Sequence, residues 1–152
     1  LYACGLRLSE LIELKERDFN RYESTLKVLG KRNKERIVPL HTKVKDLLSE
    51  YMQLKKEQFD SHFIFLTDKG EKLYPKFVYR KVNDYLSQVT SAKQKSPHVL
   101  RHTFATHMLN NGADLNTIKE ILGHANLSAT EVYTHNTIEK LKSIYKQAHP
   151  RA

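Results

Sequence analysis

Residues 96–135 read SPHVLRHTFATHMLNNGADLNTIKEILGHANLSATEVYTH, and the rest of the chain is best understood outward from them. Ser96 followed by Pro97 is a helix start: a hydroxyl able to cap, then a ring suited to the first helical position. The helix they open carries His98 and Arg101 and is expected to end near Gly112. Asp114 caps a second helix through Leu115, Ile118, Ile121 and Leu122, which Gly123 stops, so that His124 stands just past its end. Ser128-x-x-Glu131 is a capping-box pattern for a third, which delivers Tyr133. At about 100° per residue, His98, Arg101, His102 and Ala105 share one face of 97–110, with Leu100, Phe104 and Met108 on the other.

Upstream, Leu1-Tyr2-Ala3-Cys4-Gly5 reads as the end of a helical turn, and Ser9 as the N-cap of a short helix with Leu11, Ile12 and Leu14. Arg7 then falls at a helix junction. Residues 25–29 and 35–40 are β-type runs joined by Gly30-Lys31-Arg32-Asn33-Lys34, a hairpin with a basic tip. Leu26 and Val28 alternate with polar neighbours, as in a sheet covered on one side. Val44, Leu47, Leu48, Tyr51 and Leu54 predict an amphipathic helix over 43–57. After a short apolar run, 62–66, and an Asp68-Lys-Gly70 turn, Pro75 opens a helix with a stripe of Val78, Val82, Tyr85, Leu86 and Val89. Thr137 can cap a last helix through Ile138, Leu141, Ile144 and Tyr145. The fold class is mainly α with a small antiparallel β-sheet.

With 152 residues the chain has the length of one domain. It opens on Leu1 rather than Met, inside what reads as a helical turn, and is expected to be an excised domain. Lys+Arg 26 against Asp+Glu 17 gives a net charge of +9, spread along the chain. A folded basic domain points to a polyanion, most often nucleic acid. An anionic membrane surface is the rival, but no segment sets Lys on one face against Trp and Phe on the other. Cys4, the sole cysteine, excludes an intrachain disulfide and a multi-thiolate metal site. With no apolar run of spanning length and no signal segment, an intracellular location is expected.

The residues that carry chemistry are Arg7, Lys31, His98, Arg101, His124 and Tyr133. Each has a plainer reading: a solvated basic helix face, a turn lysine, a half-buried tyrosine such as Tyr51, Tyr85 or Tyr145. His98 and His102 at i, i+4 is a metal-ligand spacing, but no acidic third ligand is near and Arg101 would set a cation beside the ion. Arg101 suits phosphate instead, since its planar fork grips two oxygens. A tyrosine of pKa about 10 needs cations and a base close by before it can attack. No metal or other cofactor is expected.

The stretches A-C-G-L-R-L-S-E (3–10), G-K-R-N-K-E-R (30–36), H-V-L-R-H-T-F-A-T-H (98–107), L-G-H (122–124) and Y-T-H (133–135) occur in the order and spacing of the tyrosine recombinase, or phage integrase, family. The chain resembles that family over nearly its whole length. The 30–36 turn and the A-H-P-R of 148–151 look most like its Xer branch. The resemblance implies a single catalytic domain over residues 1–152, expected to be N-terminally truncated, since in the family the start of that domain and a helical core-binding domain come before the position of Leu1. It implies that Tyr133 attacks the scissile phosphate and that Arg7 and Arg101 clamp the non-bridging oxygens. Lys31 would protonate the 5′-oxygen leaving group, His98 would act as acid/base toward the tyrosine, and His124 would donate to a phosphate oxygen. Glu10 would orient its neighbours, and Arg32, Lys34 and Arg36 would contact DNA. Double-stranded DNA is the implied partner, bound by a tetramer of like or unlike protomers on paired sites, without a membrane. For a Xer-type protein a DNA translocase is a further implied partner, at the nucleoid in the cytoplasm. The 138–147 stripe suits packing either into a neighbouring protomer, as in the family, or onto its own domain.

Preorganised donors aimed at the equatorial oxygens of a phosphodiester are each worth about 10²–10³ in rate. Two arginines and a histidine would supply them. The rival from another class is a non-catalytic helix-turn-helix module, with Gly112 in the turn; it accounts for the charge but not for the coincidence of these six residues.

Overall fold

The computed structural model describes residues 1–30, 33–123 and 135–150, with 135 and 136 described in backbone only. Leu8–Glu13 forms α1, a single 3-10 turn covers Glu16–Asp18, and Phe19–Asn20, Thr25–Leu29 and Glu35–Pro39 are β1, β2 and β3. Four longer helices and one short one follow: Thr42–Gln58 (α2), Pro75–Val89 (α3), Pro97–Asn110 (α4), Leu115–Leu122 (α5) and His135–Ala148 (α6). The fold is mainly α with one antiparallel sheet of order β1-β2-β3, as expected.

The hairpin pairs in the register Thr25 with Pro39, Leu26 with Val38 and Val28 with Arg36. Leu26, Val28 and Val38 are buried on one face of it, and α5 and α6 lie against β3. β1 went unpredicted because two residues carry no periodicity. Phe104, Met108 and Ile121 complete the centre of the core with no exposed surface, each stabilising the fold by about 1.5–3 kcal/mol. Gly5, at φ +57°, lets Phe104 close over the N-terminal turn: a Cβ there would stand 2.7 Å from the ring.

The predicted helix starts at Pro75, Ser96 and Asp114 are present. Ser96 Oγ accepts the Val99 N–H at 3.3 Å, and Asp114 Oδ1 accepts those of Asn116 and Thr117 at 3.0 Å. The α1 cap differs. Arg7, not Ser9, is the N-cap, and Glu10 three residues on reaches back to accept the Arg7 backbone N–H at 2.8 Å. α6 begins at His135, two residues before the expected Thr137 cap. The helix read from Ser128 to Glu131 lies outside the described residues.

Two stripes also run differently. On α2, Leu47 and Leu54 are exposed, and Leu48 and Lys55 are the buried positions. Lys55 Nζ donates to Glu16 Oε1 at 2.6 Å and to the Ser61 and Phe63 carbonyls at 2.9 and 2.6 Å. A lysine with three acceptors can be buried, and here Lys55 goes inside while its neighbour Leu54, expected in the stripe, does not. On α3, Val78 is buried while Tyr85 and Val89 are exposed. The 138–147 stripe packs on its own domain, with Leu141, Tyr145 and Ala148 in the core beside Phe104 and Met108. Its end is fastened by Tyr145 Oη donating to Ala3 O at 2.6 Å and Asn111 Nδ2 to Ala148 O at 2.7 Å. Among the described residues no helix is long and apolar enough to cross a membrane.

Candidate active site

The site is built around a buried carboxylate, Glu10, on the first turn of α1. Its Oε1 accepts Arg7 Nη1 at 2.7 Å and Arg36 Nη1 at 2.8 Å. Its Oε2 accepts the Arg7 backbone N–H and Arg36 Nη2, both at 2.8 Å. Arg101 Nη1 stays 4.0 Å from Oε2, beyond hydrogen-bond distance. Burial alone would push the Glu10 carboxyl up, but the bonds and charges of Arg36 and Arg7 outweigh it and hold the pKa at about 2.

The three arginines also share the C-terminal end of α5. A helix leaves its last carbonyls without partners, and this end concentrates negative charge. Arg36 Nε donates to Ile121 O at 2.7 Å, Arg101 Nη2 to Leu122 O at 2.8 Å and Arg7 Nη2 to Gly123 O at 3.0 Å. Three successive carbonyls thus take three guanidinium groups from three distant parts of the chain. Gly123 closes the helix at φ +66°, and a Cβ on it would lie 3.0 Å from Arg36 Cδ. His124 is the next residue.

Arg101 is aimed by backbone: besides Leu122 O, its Nη1 donates to Gly5 O. Desolvation, with Arg7 and Arg36 adding repulsion, lowers its pKa to about 10, so it stays cationic at neutral pH. A guanidinium has five N–H donors, and Arg101 gives one to each of two carbonyls. Side-chain exposure falls from 27% for Arg7 through 11% for Arg101 to 4% for Arg36. The first two can meet a ligand; the third faces inward.

Of the residues singled out from sequence, Arg7, Glu10 and Arg101 are therefore brought together. His98 is exposed in the first turn of α4, and Lys34 is exposed beyond the hairpin tip. Lys31, Arg32, His124 and Tyr133 lie outside the described residues. Two readings need correction. Arg101 does not share a face with His98 and His102: it is buried with Pro97, Phe104 and Met108, at i, i+4, i+7 and i+11, while both histidines are exposed. Arg36, expected at a DNA-facing surface, is instead buried and committed to Glu10 and Ile121 O. The signal was available, since alternation along β3 sets Arg36 on the same face as Val38, opposite buried Val28.

The phage integrase family matches residues 1–140. The chain belongs to the phage integrase family. Among its relatives, the tyrosine recombinase XerC of Chlorobaculum parvum is 47% identical over 160 residues, covering 100% of this chain and 48% of that protein. The tyrosine recombinase XerD of Listeria monocytogenes is 40% identical over 157 residues, covering 100% of this chain and 53% of that protein. The crystal structure of XerA recombinase superposes with a TM-score of 0.76 at 33% identity, over 99% of this chain and 56% of that one. This phage integrase chain is thus Xer-like and spans about half the length of the curated relatives it matches.

Proposed function

We propose that this chain is the single catalytic domain of a site-specific DNA recombinase, cleaving and rejoining strands through a 3′-phosphotyrosyl intermediate. The observation that carries the reading is the meeting of Arg7 and Arg101 at the end of α5, immediately before His124. Both keep donors and some exposure for an anion, and both are fixed before any ligand arrives.

In this reading the Tyr133 phenolic oxygen forms a bond to the scissile phosphorus as the bond from phosphorus to the 5′-oxygen breaks. The tyrosine proton passes to His98, and the 5′-oxygen takes a proton from Lys31 and leaves as a hydroxyl. Arg7, Arg101 and His124 hold the non-bridging oxygens, where negative charge gathers. The phosphotyrosyl ester retains the energy of the broken bond, so a 5′-hydroxyl from another strand displaces the tyrosine without ATP. Arg32 and Lys34 contact the DNA backbone. The reading carries with it a tetramer of like or unlike protomers on paired sites, a place at the cytoplasmic nucleoid and, in the Xer branch, a DNA translocase partner. A regulator of the helix-turn-helix kind gives no reason for two arginines to be oriented on one helix terminus.

The test is a nicked duplex carrying a site that the full-length protein has selected from a random-sequence library, nicked so that cleavage sheds a short strand. A protein–DNA adduct that survives denaturation in EDTA, and vanishes in Tyr133→Phe while binding persists, is the expected result. Tight binding without any adduct would sink it.

A further inference from the structure

We propose that Arg36 is a positioning residue for the strand-transfer chemistry: it saturates Glu10, so that the charge of Arg101 remains available to the scissile phosphate. The inference rests on the recombinase reading above.

A carboxylate offers about four lone-pair positions. On Glu10 all four are taken, two by Arg7 and two by Arg36. Arg101, the third guanidinium of the cluster, is left 4.0 Å from Oε2 and is oriented instead by the neutral carbonyls of Gly5 and Leu122. A carbonyl directs a guanidinium without cancelling its charge; a bidentate carboxylate does both. Without Arg36, two lone-pair positions on Glu10 open beside Arg101. The buried carboxylate then draws Arg101 into an ion pair, turning it from Leu122 O and competing with the substrate for it. Arg36 also donates to Ile121 O, one carbonyl before the Arg101 acceptor, so its loss leaves that helix end partly unpaired. Its own 4% exposure keeps it from the substrate, which separates this role from a catalytic one.

The experiment uses the full-length protein and the nicked duplex described above, with Arg36→Lys, Arg36→Met and the double variant Glu10→Gln/Arg36→Met. For each, the adduct-forming rate at saturating DNA, the DNA affinity and the melting temperature are measured. Arg36→Met should form adduct about 100-fold more slowly, a magnitude typical of misplaced transition-state groups. Its DNA affinity should be unchanged, and Arg36→Lys, which fills one oxygen, should fall between. The distinguishing result is the double variant: with the carboxylate neutralised, Arg101 is released and the rate should recover above that of Arg36→Met. A purely structural arginine predicts recovery only in step with the melting temperature, so a double variant no faster than the single, once rates are taken per folded molecule, overturns the proposal. So does an unaltered rate in Arg36→Lys when Arg36→Met does not fold. If the unaltered protein forms no adduct, the recombinase reading fails first and takes this inference with it.

Discussion

Arg36 grips Glu10 through both oxygens at 2.8 Å with neither side chain more than 4% exposed, and that pair is the keel on which the arginine cluster sits. Removing one partner of a buried ion pair strands the other, at a cost of about 3–5 kcal/mol.

The pair gives the fold a signed dependence on acid. The Glu10 carboxyl titrates at about 2 in the folded chain against an ordinary 4.5, so its contribution is complete above 4.5 and is lost as pH falls toward 2. Melting temperatures between pH 6 and pH 2 should therefore fall more steeply for the unaltered protein than for Glu10→Gln. Parallel curves would show that Glu10 is not the group responsible.

Gly123→Ala should lower stability by about 1–2 kcal/mol, since its φ of +66° is costly for any residue with a Cβ. The new methyl would also press on Arg36 at 3.0 Å, so adduct formation should slow by more than the loss of folded protein accounts for. Denaturant titration alongside the nicked-duplex assay checks both parts.

Lys55→Met should destabilise the fold by about 1–3 kcal/mol even though methionine is the more apolar side chain. Glu16 and the carbonyls of Ser61 and Phe63 would lose the ammonium that joins them to α2. A urea midpoint within experimental error of the unaltered protein would contradict this.

Tyr145→Phe removes the hydroxyl that fastens α6 to the N-terminal turn and to the His41 backbone. The ring keeps its packing, but the half-buried Ala3 O loses a donor at 2.6 Å, which costs about 0.5–1.5 kcal/mol. Hydrogen exchange of α6 amides should quicken relative to those of α4; equal protection would mean the bond contributes nothing to the docking.

Local patterns in the sequence were enough for the hairpin, for the starts of α3, α4 and α5, and for the stop at Gly123, because caps, prolines and alternation act over a few residues. They failed wherever a charged side chain goes inside. Arg36 is buried because of Glu10, 26 positions away, and Ile121, 85 positions away. Lys55 is buried because of Glu16, 39 positions away. A helical wheel reads a cation as a surface residue and has no means of registering an acceptor that arrives from another element. For the same reason the motif residues Arg7 and Arg101 were recognisable from family spacing, while their shared footing on the end of α5 was not.

That footing ties activity to the completeness of folding. The three guanidinium groups come from residues 7, 36 and 101 and meet carbonyls at 121–123, and two of those contacts span 116 and 85 positions. Contacts of such high sequence separation form only once the topology is complete. A nascent or partly unfolded chain, whatever local helices it holds, has no arginine cluster. On the recombinase reading this is a safeguard: a misfolded copy does not cut DNA, because the arginine cluster does not exist until the domain has folded.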